Sequence, residues 1–363
     1  MAHLQSKTHS QSKADKLRVL ASQTADAALT AAPERQITVL NAAKQLQDVA
    51  DGLERRAMKA LEQPAVANIP PDATAEELYL SRRRQATRRA SEVYLPSWSS
   101  MAKALPNTLL RSALFSVARS VQADNDNLLA NESTCLVAGK EIATFKNVTL
   151  TLSGYSLCQF DRQVYCNCLD YYRDVPLCPE ESLRHVRTTF YEFARRMQSE
   201  YSVKAHRAIR ASVLRLSFAQ IRIRYQRMNI EVPKLLSATF EDGEAADDFK
   251  GSDGLLLRVT TAVAELFGAG AWTAVDNEAV GYDGLRGWIA SFYAGHARPQ
   301  WLPVESLYRL SGYESNIRNF KASLTRALEK LKDPMTPLCS RVANYICSED
   351  EKQIFVVRCA WVT

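Results

Sequence analysis

Apolar positions late in the chain follow a clear helical period. Ile317, Phe320, Leu324, Leu328 and Leu331 recur at intervals of three and four, which predicts a helix with one buried stripe over 315–331. A short helix over 304–310 precedes it across a turn at Gly312, and Pro334 and Pro337 end it. The segments 342–347 and 354–361 then read as a hairpin around the polar turn 348–352, and 282–293 is an amphipathic segment in front of the set. The order is helix, turn, helix, hairpin.

A larger copy of this grammar comes first. Residues 134–142 and 145–152 alternate as paired strands, 157–172 reads as a helix, and 176–179 is an extended connector. Two further helices follow at about 188–198 and 202–216. The alternating segment 218–224 and the strand-like pieces 235–240 and 255–261 close the unit. These patterns predict an α+β protein with tandem winged-helix domains at 96–270 and 271–363, each of ordinary domain size.

Residues 1–95 have a different character, rich in Ala, Gln and Ser and broken by Pro33, Pro64, Pro70 and Pro71. They read as a helical, partly disordered appendage. Val39, Leu46 and Leu53 recur every seven residues, with Ala43, Ala50 and Ala57 four positions after each, a narrow stripe that suits either a partner helix or a loosely ordered one. Thr74 and Glu77 fit a capping box that opens a helix running into Arg82, Arg83, Arg84, Arg88 and Arg89. Such a run suits a solvated face or a phosphate contact.

Composition narrows the class. The 363 residues are 46% apolar and 24% charged, which excludes a wholly disordered or fibrous chain. Residues 1–13 are polar and lack the apolar stretch of a secretory signal, so a cytoplasmic protein is expected. The most apolar stretch, 255–275, is interrupted by Arg258 and Glu265, and no membrane span is expected. Eight cysteines fall far below disulfide-scaffold density and read as buried hydrophobes.

The net charge of +6 is unevenly spread. Between Arg184 and Arg227 eleven Lys/Arg face only Glu192 and Glu200, a net of +9 in 44 residues and an electrostatic footprint for a polyanion. In the helix 202–216, Ile209, Val213 and Leu216 lie within about 60° of one another, while Lys204, Arg207, Ala208, Ala211 and Arg215 take the opposite side. Two alanines on the basic side leave room for a major groove, where Arg bonds guanine edges and Lys holds phosphate. Arg210 belongs to the same cationic cluster, and Arg222 and Arg224 alternate with Ile221 and Ile223 on one strand face. The second candidate helix gathers Arg318, Lys321, Ala322 and Thr325 on one side, suited equally to base contact and to plain exposure. The stretch 241–253 opposes this, with six acids against Lys250, and is expected to turn away from DNA or toward a basic protein partner.

Catalytic signatures are missing. The chain contains no G-x-x-x-x-G-K-[ST], HExxH or GxSxG, and its five histidines have no helical ligand spacing. Cys158, Cys166, Cys168 and Cys178 lack paired CxxC knuckles, the acidic loop lacks EF-hand spacing, and Asp161 and Asp170 have no evident base or metal partner. A non-enzymatic protein without cofactor or metal is expected.

Several blocks resemble a known family. Trp98 with Met101, then Ala104 to Asn107, then Arg111 to Phe115 resemble the W-x-x-M…A-M-P-N…R-S-A-L-F block of TrfA, the replication initiators of broad-host-range plasmids. Residues 148–154 with Leu157, Asp161, Val164 and Tyr165, then 189–192, 265–268 and 305–312 resemble further family segments in the same order. The resemblance spans about 96–363. It implies tandem winged helices that bind direct repeats (iterons) at a plasmid origin, open adjacent AT-rich DNA, and recruit the host helicase and the initiator DnaA. It also implies a homodimer in solution that acts on DNA as a monomer, with Lys204, Arg207 and Arg215 on one DNA-facing helix and Arg318, Lys321 and Thr325 on the other. Residues 91–95 depart from the family's sliding-clamp motif, and the acidic 241–253 stands where the family has a basic turn. Two rival readings remain: a winged-helix repressor on a palindromic operator, and a DNA-nicking enzyme with an unrecognised metal site. A third is a scaffold built on the N-terminal helices.

Overall fold

The computed structural model describes residues 2–29, 33–62, 92–118, 136–145, 147–179, 184–226, 228–241, 248–268 and 271–361. The chain forms two compact units, Met1–Arg84 and Gln85–Thr363. In the first, helix α1 (Ala2–Leu29) packs against α2 (Pro33–Glu62), which begins at a proline whose missing N–H costs nothing at a helix start. The seam is built of small residues: Ala21 and Ala28 of α1 and Ala43 and Ala50 of α2 are buried, and Arg18 reaches Asp51 at 3.1 Å. The repeating stripe on α2 thus points Ala43 and Ala50 inward, while Val39 and Leu46 are half-buried. The capping box at Thr74 and the arginine run 82–89 lie outside the described residues.

The second unit mixes helices and strands as an α+β fold. Strand β1 (Ala102–Pro106), helix α3 (Asn107–Leu110), β2 (Phe115–Ser116), β3 (Leu136–Ile142), β4 (Val148–Tyr155) and β5 (Leu157–Cys158) come first. Then follow α4 (Gln159–Asp170), β6 (Val186–Thr189), α5 (Phe190–Arg196), α6 (Val203–Phe218), the hairpin β7 (Gln220–Tyr225) and β8 (Met228–Val232), and β9 (Ser237–Glu241) with β10 (Gly254–Arg258). A 3-10 turn at Thr261–Phe267 leads to β11 (Trp272–Asp276), α7 (Asn277–Val280), α8 (Gly284–Ala294), β12 (Trp301–Pro303), α9 (Val304–Ser311), α10 (Ile317–Lys332), β13 (Val342–Cys347) and β14 (Gln353–Arg358).

One topology occurs twice. Helix α4, strand β6, short helix α5, long helix α6 and strands β9 and β10 make a three-stranded sheet ordered β6-β10-β9. Helix α8, strand β12, short helix α9, long helix α10 and strands β13 and β14 repeat it with the order β12-β14-β13. The first copy differs by one insertion: β7 and β8 leave the repeat and extend β3 and β4 into the sheet β3-β4-β7-β8. Its inner face is Leu150, Leu152, Ile221, Ile223 and Val232, all buried, as the strict alternation of the strands requires.

The two copies share structure. β1, from the segment read as the first domain, pairs antiparallel with β11 at the start of the second, from Ala102 opposite Asp276 to Pro106 opposite Trp272. Buried apolar side chains from both copies form one hydrophobic cluster. Two buried carboxylates organise it. Asp170 accepts from Trp98 Nε1 at 3.2 Å, Lys103 at 2.5 Å and Arg196 at 2.9 Å. Asp161 accepts from the backbone of Cys158 at 2.8 Å, Ser212 at 2.7 Å and Arg215 at 2.6 Å. Both aspartates that the sequence left without partners therefore hold the fold together. Among the described residues no helix is long and apolar enough to cross a membrane.

Candidate nucleic-acid interface

Each long helix of the repeats starts on a side-chain cap. Ser202 accepts from Ala205 N at 3.1 Å at the head of α6, and Asn316 accepts from Asn319 N at 2.9 Å at the head of α10. Gly312, at φ 62°, supplies the left-handed residue that ends α9 and starts the turn into α10.

On α6, His206, Ile209, Ser212, Val213 and Leu216 are buried. The His206 ring is stacked between Phe190 at 3.6 Å and Phe249 at 4.3 Å, which fastens α6 to α5 and to the segment before β10. Lys204 is exposed at the first turn, on the rim of a cleft of about 600 Å³ whose lining includes Glu278 and Tyr282. Arg207 and Ala211 are half-buried, and the same side ends in Phe218, 60% exposed.

Arg215 does not belong to this outward face. Its side chain is only 12% exposed and holds Asp161, itself wholly buried, through contacts of 2.6, 3.1 and 3.2 Å. The helical period sets Arg215 off the Ile209–Val213–Leu216 stripe, but α4 covers that edge. Arg210 lies across the Phe240 ring at 4.8 Å, a cation–π contact with β9. Arg222 and Arg224 do share the outer face of β7, where Arg222 meets Glu231 at 3.2 Å and Arg224 stands between Thr149 and Asn229 on the flanking strands.

The cationic window is thus partly neutralised by acids from elsewhere in the chain. Arg187 pairs with Glu241 at 2.6 Å, Arg196 with Asp170, Arg215 with Asp161 and Arg222 with Glu231. Arg227 lies outside the described residues.

On α10 the division is cleaner. Phe320, Leu324, Ala327, Leu328 and Leu331 are buried, while Arg318, Ala322, Thr325 and Arg326 are exposed. Lys321 sits to one side, 3.5 Å from Glu351 in the turn between β13 and β14. Arg326 was not among the expected residues, although its position four after Ala322 and eight after Arg318 places it on their stripe. Ala322 and Thr325 between two arginines leave a low, narrow ridge flanked by guanidinium groups.

The buried thiols are chemically quiet. Burial pushes Cys158 and Cys166 up to about 11 and raises Cys168 as well, so all three remain protonated at neutral pH. Among the described residues no three His, Cys, Asp or Glu side chains converge as a metal site.

No protein-family model and no curated protein matches the chain. Solved structures similar to it include the selenomethionine derivative of domains 2 and 3 of RctB, at 11% identity and a TM-score of 0.40, covering 74% of this chain and 95% of that one. A second RctB domain 2–3 structure matches at 11% identity and a TM-score of 0.36, covering 74% of this chain and 96% of that one.

Proposed function

We propose that this chain is a double-stranded-DNA-binding protein built on two winged-helix units, and that it initiates plasmid replication. The observation that carries the reading is the repeated unit itself: twice, a capped long helix follows a short one in a unit whose three-stranded sheet has the same order, and twice its outer side carries Lys or Arg beside alanine. A helix of that outline enters a major groove, with Arg318 and Arg326 suited to guanine edges and Ala322 and Thr325 to thymine methyls. Lys204 and Arg207 supply the corresponding contacts from α6, and Arg224 adds positive charge from the neighbouring sheet.

The finer assignment rests on the TrfA-like blocks between Trp98 and Gly312. By that resemblance the sites are iterons beside an AT-rich stretch, and the partners are the host helicase and DnaA, with a dimer in solution converting to a monomer on DNA. No catalytic step and no cofactor is invoked. Binding several repeats supplies the energy to strain a weak duplex nearby.

The test is fluorescence anisotropy on direct repeats from the DNA flanking the reading frame, across a salt series. Arg318→Ala is expected to lose about 1–3 kcal/mol and to relax specificity at one base, whereas Lys204→Ala should lower the salt slope by about one unit. Equal binding by both variants and the wild type refutes the interface. Preference for a single palindrome favours a repressor, and nicking of supercoiled plasmid with Mg²⁺ favours an enzyme.

A further inference from the structure

Helices α4 and α8 hold the same place in the two repeats, and they pack against each other. At their junction lies Arg162 of α4, 2% exposed. Its Nε donates to Gln159 at 2.8 Å within its own helix, but its other bonds cross to the second repeat. Nη1 donates to Ser291 of α8 at 2.8 Å, and Nη2 to the carbonyls of Val280 at 3.2 Å and Tyr282 at 3.4 Å. The next residue grips the same turn: Gln163 Nε2 donates to the carbonyls of Gly281 at 3.2 Å and Tyr282 at 3.3 Å. Gly287 keeps the seat open, since a Cβ there would collide with the Tyr282 carbonyl and come within 3.0 Å of Arg162 Nη2.

A guanidinium buried this deeply and bonded to neutral acceptors is tolerated only while those acceptors stay in place. Sliding or rotating one repeat against the other strands its donors without water. The acceptors are backbone carbonyls of a turn together with one hydroxyl, all fixed to α7 and α8, so the seat accepts one relative placement.

We infer that Arg162 is a positioning residue that locks the two repeats at one offset, so that α6 and α10 engage DNA only at one spacing along the duplex. This rests on the DNA-binding reading for its consequence, but not for the lock itself.

Two measurements on the full chain separate the lock from its consequence. Electron–electron resonance distances are taken between spin labels attached through encoded p-acetylphenylalanine at positions 200 and 314, both exposed and outside the proposed contacts. The wild type should give one narrow distribution, and Arg162→Gln, with unchanged circular dichroism, a broadened one. On DNA, inserting two base pairs between the two protected segments turns them by about 70° and separates them by about 7 Å. Wild-type affinity should then fall about a hundredfold toward its non-specific level, while Arg162→Gln should bind the parent site more weakly and lose less than fivefold on insertion. A folded Arg162→Gln that keeps both the narrow distribution and the full insertion penalty overturns the inference. Should that variant not fold, the double variant Gln163→Ala with Ser291→Ala removes three of the cross-repeat bonds and is judged by the same two outcomes. If the wild type binds no DNA, the interface reading fails, and the distance distributions alone decide the lock.

Discussion

Replacing Arg215 with methionine separates a fold-holding role from a DNA-contacting one. Methionine keeps most of the side chain's length and apolar stem, so the main loss is the guanidinium against Asp161. That carboxylate is wholly buried, and after the change it keeps only the Ser212 hydroxyl at 2.7 Å and the Cys158 N–H at 2.8 Å. Removing one partner of a buried pair costs about 3–5 kcal/mol because the other charge is left uncompensated. For a folded unit of this size, each kcal/mol lowers the midpoint by about 2–4 °C, so calorimetry should record a fall of roughly 6–20 °C. Adding Asp161→Asn removes the stranded charge while keeping an acceptor for Ser212, and should restore more than half of the loss. Anisotropy at a temperature where both proteins are folded should give DNA affinities within twofold of each other. A midpoint within a degree of the wild type, with a tenfold loss of DNA affinity, would refute the buried placement of Arg215.

Three smaller perturbations probe other parts of the fold. The Tyr165 hydroxyl is wholly buried, finds no hydrogen-bond partner among the described residues, and is driven above the usual phenol range by burial, so Tyr165→Phe should leave stability unchanged or raise it by about 1 kcal/mol in urea unfolding; a loss above 1 kcal/mol counts against the orphaned hydroxyl. Gly312→Ala places a Cβ on a left-handed residue and 2.6 Å from Ser116 Cβ, and should cost roughly 1–2 kcal/mol from the backbone alone, plus the clash; a change below 0.5 kcal/mol in calorimetry contradicts the turn geometry. Asp350 accepts from the Ser348 hydroxyl at 2.7 Å and from Lys352 N at 3.1 Å, which hold its carboxyl down at about 2. Because the folded value lies below the unfolded one near 3.9, its contribution is present above pH 4 and is lost as the pH falls toward 2; a carboxyl NMR midpoint near 4 would dismiss the ordered turn.

Elements with strong local period were legible in the sequence. The stripe from Ile317 to Leu331 marks α10, the alternation around Ile221 and Ile223 marks β7, and the hairpin of β13 and β14 appears in its place, except that β14 ends at Arg358 and the expected strand residues 359–361 form a 3-10 turn. Elements defined by distant partners were not. β1 carries no alternation because Lys103 to Pro106 are all buried, and its partner β11 lies about 170 residues away. β12 has three residues, too few for a period to register, and the start of the helix expected at Thr188 is strand because 186–189 pair with β10. Helix α1 has no apolar stripe to announce it, since its seam is alanine. Arg215 failed for a related reason: a helical wheel fixes which residues share a side, but not which side a neighbouring helix will cover. Asp161, which claims it, stands 54 residues earlier.

Charge needs the same correction from window to space. The +9 counted between residues 184 and 227 takes no account of Asp161, Asp170, Glu231 and Glu241, each of which reaches into that window and holds one of its arginines. On the proposed reading, the cations offered to a polyanion are fewer: Lys204 near the head of α6, Arg224 on β7, and Arg318 and Arg326 along α10. The turn between β13 and β14 carries the opposite sign, with Glu349, Asp350 and Glu351 against Lys352, and the sequence 241–253 is acidic as well. Within a screening length of about 8 Å such a turn repels phosphate. Glu351 also holds Lys321, the cation of α10 nearest that turn, at 3.5 Å. On the proposed DNA-binding reading, attraction lies along α6 and α10 and fades toward the turn between β13 and β14, so the two long helices meet the duplex and that tip turns from its backbone.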